Sequence, residues 1–261
     1  MSERALIVTA DDFGYDHAVN TAVVRAHRDG ILRFASMMVL RPAAAQAADL
    51  ARENPGLGVG LHLELCSAEP ARAGMRYFFD RKARAGLEAE IRTQIEALLK
   101  LGLKPTHVDS HCNVHVHPVI FPALCRLARE YGIPRVRLPA GELSACLGYP
   151  GTDDVLVPLL LSGVFAAMGG WVRGAARGLK VPRTWGLLRS GMMTEDYVLW
   201  LLERLPEGVT ELYFHPRADL GSLVTTRPTA SHQTATELDT LLSPRVRRHM
   251  EETGIVLVSR E

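Results

Sequence analysis

Short apolar runs alternate with amphipathic stretches along this chain, and that alternation calls for parallel β-strands joined by crossover helices. The first run, Ala5-Leu6-Ile7-Val8, has no polar face and reads as a strand covered on both sides. Residues 16–29 then place Val19, Ala22, Val23 and Ala26 on one helical face, closed by Gly30. Further strands are predicted near 34–40, 58–63, 106–111, 135–138, 185–188, 211–214 and 255–259. Helices are predicted over 42–54, 87–98, 118–131, 194–205 and about 232–253, whereas 70–86 lacks periodicity and reads as a long loop. Eight strands in 261 residues predict an α/β fold. The expected form is an irregular (β/α) barrel of TIM-barrel type in a single domain over 1–261, with a doubly wound open sheet as the alternative.

Composition narrows the function. Thirty Lys and Arg against 29 Asp and Glu leave a formal charge of +1, and no basic stripe carries interleaved aromatics, so no nucleic-acid partner is expected. Four scattered cysteines without a CxxC pair fit a reducing compartment. The opening MSERALIVTADD reaches acidic residues before a signal-peptide core forms, and the expected location is the cytoplasm. The chain carries neither a GxxxxGK[ST] loop nor a GxSxG elbow.

Four polar clusters fall at predicted strand ends, which share one mouth in a parallel barrel. They are Asp11-Asp12 after the first strand, His62 at the third, His111 with His115 and His117 after the fourth, and His215 after the seventh. Adjacent strand residues point to opposite faces, so Asp11 and Asp12 suit a division of labour between a metal ligand and a proton acceptor. His62 alone reads more readily as a satisfied core histidine than as a ligand. Three histidines within residues 111–117 are costly to bury without partners, and a His/His/carboxylate set is a recognised divalent-metal arrangement. His107 shares a strand face with Asp109 and His111 by period-two spacing.

Taken together, Thr9-Ala10-Asp11-Asp12-Phe13-Gly14, Gly60-Leu61-His62-Leu63, Thr106-His107-Val108-Asp109-Ser110-His111 with His115, and Phe214-His215-Pro216 resemble the YdjC-like carbohydrate deacetylases. The likeness runs in order over about residues 4–217. Trp185 to Met192 and Gly208 to Pro216 look most like the hopanoid-biosynthesis-associated HpnK type of that family. The resemblance implies one divalent metal ion, Mg or Zn, on Asp12, His62 and His111, with Asp11 as the base. The family often has further histidines where this chain has Cys112 and Asn113, which leaves the second histidine ligand open between His111 and His115. His215 is the expected proton donor to the leaving amine, with His115 in reserve; His115 and Arg217 are also candidates for substrate binding.

The activity so implied is removal of acetyl from an N-acetylglucosamine-type sugar, hopanoid-linked in the HpnK type. A metal-dependent phosphoester hydrolase and a non-catalytic lipid- or sugar-binding barrel are the alternatives. The expected partners are that amino sugar, the inner membrane face as a peripheral contact, and a second copy in a homodimer. Val155 to Val172 carries no charged side chain. It reads as a buried core helix or an oligomer interface, or as an apolar surface for a lipid.

Overall fold

A computed structural model describes residues 3–66, 69–152, 155–219 and 234–259. The chain runs β1 (Arg4–Phe13), α1 (His17–Asp29), β2 (Phe34–Met37), α2 (Ala44–Glu53), β3 (Gly58–Leu63), α3 (Pro70–Phe79) and α4 (Arg81–Lys100). It continues through β4 (Val108–Ser110), a 3₁₀ turn (His111–Val116), α5 (Ile120–Glu130), α6 (Leu143–Leu147), α7 (Leu156–Val172) and a second 3₁₀ turn (Arg173–Ala176). Last come β5 (Arg183–Trp185), α8 (Glu195–Glu203), β6 (Gly208–Phe214), α9 (Ala235–Leu242), α10 (Pro244–Glu252) and β7 (Val256–Leu257).

All pairings between these strands are parallel, in the order β4-β3-β2-β1-β6-β5, with β7 added on β1. The sheet curls, and the predicted fifth strand lies between its two edges. It forms no strand. Residues 135–139 contribute single bridges only, Val108↔Val136 on one side and Arg135↔Lys180 and Pro139↔Thr184 on the other. Pro134 and Pro139 flank the segment and supply no N–H, which accounts for a ladder this thin. The eight-stranded barrel expected from sequence is therefore corrected to a single-domain curled sheet of seven strands among the described residues, with a weak seam.

Other boundaries shift as well. The predicted loop at 70–86 is helical: Pro70 opens α3, and the Asp80 carboxylate caps α4 by accepting from the Lys82 and Ala83 amides. The α3 helix buries only Ala73 and Tyr77, so no apolar period announces it. The predicted sixth strand sits at Arg183–Trp185, and the stretch predicted helical at 232–253 is two helices broken at Ser243. Its first two residues lie outside the described ones.

Apolar helix faces, among them Val19, Ala22, Ala47, Ile91, Ile95 and Leu124, pack against the outside of the sheet. The inside is polar: Asp11, His62, His107, Asp109, Arg137 and Glu211 are all buried there. The buried-core reading of 155–172 does not hold. Only Pro158, Gly169 and Val172 of α7 are buried, while Leu160 is 61% and Trp171 79% exposed.

Candidate metal and catalytic centre

The centre starts at the end of β1. Its register against β2 shifts between Ala10 and Phe13, and Asp12 adopts a left-handed backbone with φ of 64°. Ordinary alternation would send the two carboxylates to opposite faces. The bulge instead turns both into one pocket, which corrects the opposite-face expectation; Asp12 meets His62 and His111, and Asp11 meets His62 and Asp109. Gly14 lets the chain leave, since a Cβ there would stand 2.8 Å from the Met38 carbonyl oxygen at a φ of 95°.

On β3, His62 places Nδ1 2.7 Å from Asp109 Oδ1 and Nε2 3.4 Å from Asp12 Oδ1. His111, just beyond β4, places Nδ1 3.3 Å from the same Asp12 oxygen. Left-handed backbones at Cys112 and Asn113 then turn the chain sharply, so His115 leaves this group. Its Nδ1 contacts Ser110 Oγ at 2.8 Å and its Nε2 the Arg137 carbonyl at 2.9 Å. Both ring nitrogens of His115 are engaged by these contacts, whereas His111 stands with Asp12 and His62. His117 also faces elsewhere, against Phe78 at 4.1 Å between ring centroids.

Arg137, in the bridging segment, is the residue sequence reasoning missed. Its guanidinium donates to Asp11 Oδ2 at 2.5 Å and Oδ1 at 2.8 Å, and lies 2.8 Å from Asp109 and 3.1 Å from Glu211. It stacks over the Tyr213 ring at 4.4 Å. The available signal was Arg135-Val136-Arg137-Leu138, where arginines alternate with apolar residues in a segment that had to face a barrel interior.

His215, past β6, brings Nε2 to 3.9 Å from Asp11 Oδ2; Nδ1 sits 3.3 Å from Ser190 Oγ, and its backbone N–H donates to Glu237. Arg217 pairs with Asp16 at 2.7 Å, on the N-cap of α1. His107 is behind the centre, joined through Ser36 to Asp109. Beside β3 a cleft of about 860 Å³ opens, lined by Arg41, Glu64, Cys66 and Arg72 among others.

Electrostatics make the pocket cation-seeking. Three buried carboxylates, Asp11, Asp109 and Glu211, surround one guanidinium, and a fourth, Asp12, stands against His62 and His111. Burial opposes protonation of His62, yet Asp11 and Asp109 outweigh it and hold its pKa well above the ordinary value. Burial likewise opposes His111, but Asp12 lifts it to about 9. Burial pushes Asp11 up to about 6, against the pull of Arg137. One carboxylate oxygen and two imidazole nitrogens lie within 4.8 Å of one another, all buried, and Asp109 orients the His62 ring from behind. That donor set and its surplus negative charge fit a divalent cation in place of two histidine protons.

A family model described as YdjC-like protein matches residues 5–252. A protein of Geobacillus stearothermophilus named carbohydrate deacetylase is 30% identical over 98% of this chain and 96% of its own length. A Brevibacillus brevis protein of the same name is 41% identical over 51% of this chain and 59% of its own, and one from Vibrio vulnificus YJ016 is 37% identical over 57% and 65%. The chain thus spans under two thirds of the latter two and nearly all of the first. In fold, a crystal structure from Enterococcus faecalis V583, whose name refers to cellobiose-phosphate cleavage, superposes with a TM-score of 0.66 at 24% identity, covering 98% of this chain and 97% of that one.

Proposed function

This chain belongs to the YdjC-like family, and from that membership and the buried centre we propose that it is a metal-dependent carbohydrate N-deacetylase. The observation that carries the reading is one pocket in which Asp12, His62 and His111 converge beside an Asp11 held by Arg137. A divalent ion, Zn or Mg, supplies Lewis acidity there when bound, polarising the amide carbonyl and making water more acidic.

The chain's own residues supply the proton chemistry. Asp11, with a pKa near 6, accepts the proton of the attacking water. Arg137 fixes both of its oxygens, so the carboxylate stays oriented. His215, with Nε2 3.9 Å from Asp11 Oδ2, donates a proton to the departing amine, which is otherwise a very poor leaving group. The cleft beside β3 receives the sugar, with Arg41 and Arg72 at its wall. Arg217, tied to Asp16, is a substrate-side residue at the same mouth. Two-metal phosphoester hydrolysis fits less well, because the second group of possible ligands shares His62 and its carboxylates are engaged by Arg137.

Acetate release from N-acetylglucosamine conjugates, with and without a chelator, tests the assignment. Chelation is expected to abolish release and re-addition of the metal to restore it; release that survives full metal removal discards the metal. His111→Ala is expected to lose bound metal, while His115→Ala keeps it, since that ring is spent on Ser110 and Arg137. Metal analysis of the two purified variants decides between them.

The finer reading is the hopanoid-biosynthesis type, with the sugar presented on a hopanoid lipid at the inner membrane face of the cytoplasm. Supporting it, α7 is apolar on nearly every side, mostly exposed, and packs on the 3₁₀ turn that carries His111. Leu156–Ala176 is long and apolar enough to cross a membrane by length and composition. A second copy on the same face is the competing occupant. Leu160→Ser with Val164→Ser is expected to lower activity on a lipid-linked sugar several-fold more than on a short soluble analogue. Equal losses on both substrates would remove the lipid role.

A further inference from the structure

The neighbouring strands that deliver His62 and His111 also deliver two cysteines at their exits. β3 and β4 run in parallel register with Leu63 opposite Ser110, so Cys66, three residues past β3, and Cys112, two past β4, leave the sheet side by side. The Cys66 sulfur lies 3.8 Å from the carbonyl oxygen of His111, the residue just before Cys112, and the two thiols hydrogen-bond to each other. Both are partly exposed, whereas Cys125 and Cys146 are buried. Cys66 also lines the cleft beside β3. A reagent in solvent therefore reaches this pair and not the other two thiols.

Two thiols already in hydrogen-bond contact need only side-chain rotation and a small approach to reach a disulfide bond length of about 2.05 Å. The Cys112 sulfur has a second partner, because it also hydrogen-bonds to the His111 ring. A covalent bond to Cys66 would draw that sulfur off the ring and tie the turn carrying His111 to the exit of β3. Groups that orient a ligating histidine typically change metal affinity by about 10–100-fold when they are lost.

We propose that Cys66 and Cys112 are a modification site, joined reversibly by a low-molecular-weight disulfide into an intramolecular disulfide that loosens His111 from the metal centre. The chemistry is thiol–disulfide exchange. One thiol of the pair, as its thiolate, attacks a sulfur of the reagent, releasing half of it and leaving a mixed disulfide. The second thiol attacks that mixed disulfide and releases the other half. Two protein thiols are oxidised, one reagent disulfide is reduced to two thiols, and the two protons end on those thiols. Formation of the bond depends only on the pair, whereas its effect on His111 rests on the metal centre proposed above.

Oxidised glutathione is added to the whole reduced protein, and the cysteines are mapped by digestion and mass spectrometry without reduction. The expected product is a cross-linked Cys66–Cys112 peptide, with Cys125 and Cys146 still free, and dithiothreitol is expected to reverse it. Cys66→Ser is expected to stop at a Cys112–glutathione mixed disulfide, since no second thiol resolves it. Affinity for Mn²⁺, an ion for which thiolates are poor ligands, is measured on the same samples. Oxidation is expected to lower it by about tenfold or more in the wild type. Cys66→Ser with Cys112→Ser is expected to bind Mn²⁺ equally before and after the treatment. Unmodified thiols, or separate glutathione adducts on Cys66 and Cys112, overturn the pair; a formed disulfide with unchanged Mn²⁺ affinity overturns its link to His111. Reduced wild type that binds no Mn²⁺ would instead overturn the metal reading, and the peptide map then decides the thiol pair by itself.

Discussion

Asp11→Asn is expected to retain near-normal metal content while turnover falls by about 10²–10⁴-fold, the usual range for a lost general base. The substitution is nearly isosteric and leaves Asp12, His62 and His111 untouched, so a loss of turnover separates proton transfer from ion binding. An amide also presents N–H to the Arg137 guanidinium where the carboxylate presented oxygen, so one of the paired hydrogen bonds is lost. Metal analysis and turnover on the same preparation check this, and wild-type turnover would remove Asp11 from the mechanism.

Arg137→Met is expected to cost about 3–5 kcal/mol of stability, because it leaves buried carboxylates without their shared cation. Asp11, Asp109 and Glu211 all lean on that guanidinium, and Thr9 and Thr184 bonded to Glu211 cannot replace a charge. The loss is a large part of a typical domain's total. Arg137→Lys is expected to be less destabilising but still inactive, since a point charge cannot bridge three carboxylates in fixed geometry.

The pH dependence adds a sign. Burial alone would raise Asp109 and Glu211, yet Arg137 outweighs it and holds both below their ordinary values. Their contribution is therefore present at neutral pH and lost on acidification. Without Arg137 the same groups take up protons more readily, so the gap between variant and wild type narrows in acid. Urea unfolding at neutral and acidic pH measures both effects. A gap under about 1 kcal/mol at neutral pH, an ordinary surface value, would refute the account.

The strands that hold the centre were legible because parallel strands covered on both faces leave unbroken apolar runs, as at Leu6 to Val8 and Gly58 to Leu61. Their polar ends stood out against those runs, and the family resemblance then marked Asp12 and His62 with His111 or His115 as one set. What stayed hidden depends on backbone hand and on inward-facing charge. Period-two reasoning separates Asp11 from Asp12, and only the bulge with its left-handed residue reunites them. His111 and His115 look equivalent along the chain until the turn at Cys112 and Asn113 parts them. Arg137 hid within a segment too short and too proline-bounded to register as barrel wall.

The left-handed backbone at Asp12 also limits how this pocket can be redesigned. Among side chains with a metal-binding atom, aspartate tolerates φ near 64° because its short polar group finds local partners, whereas longer or branched ones are strained there. Exchanging it for glutamate to change metal preference would alter donor reach and strain the backbone in one step. His62 and His111 are free of that constraint, since neither has a positive φ. Engineering a different metal preference therefore has two adjustable positions in the proposed trio and one that is fixed by the shape of the chain.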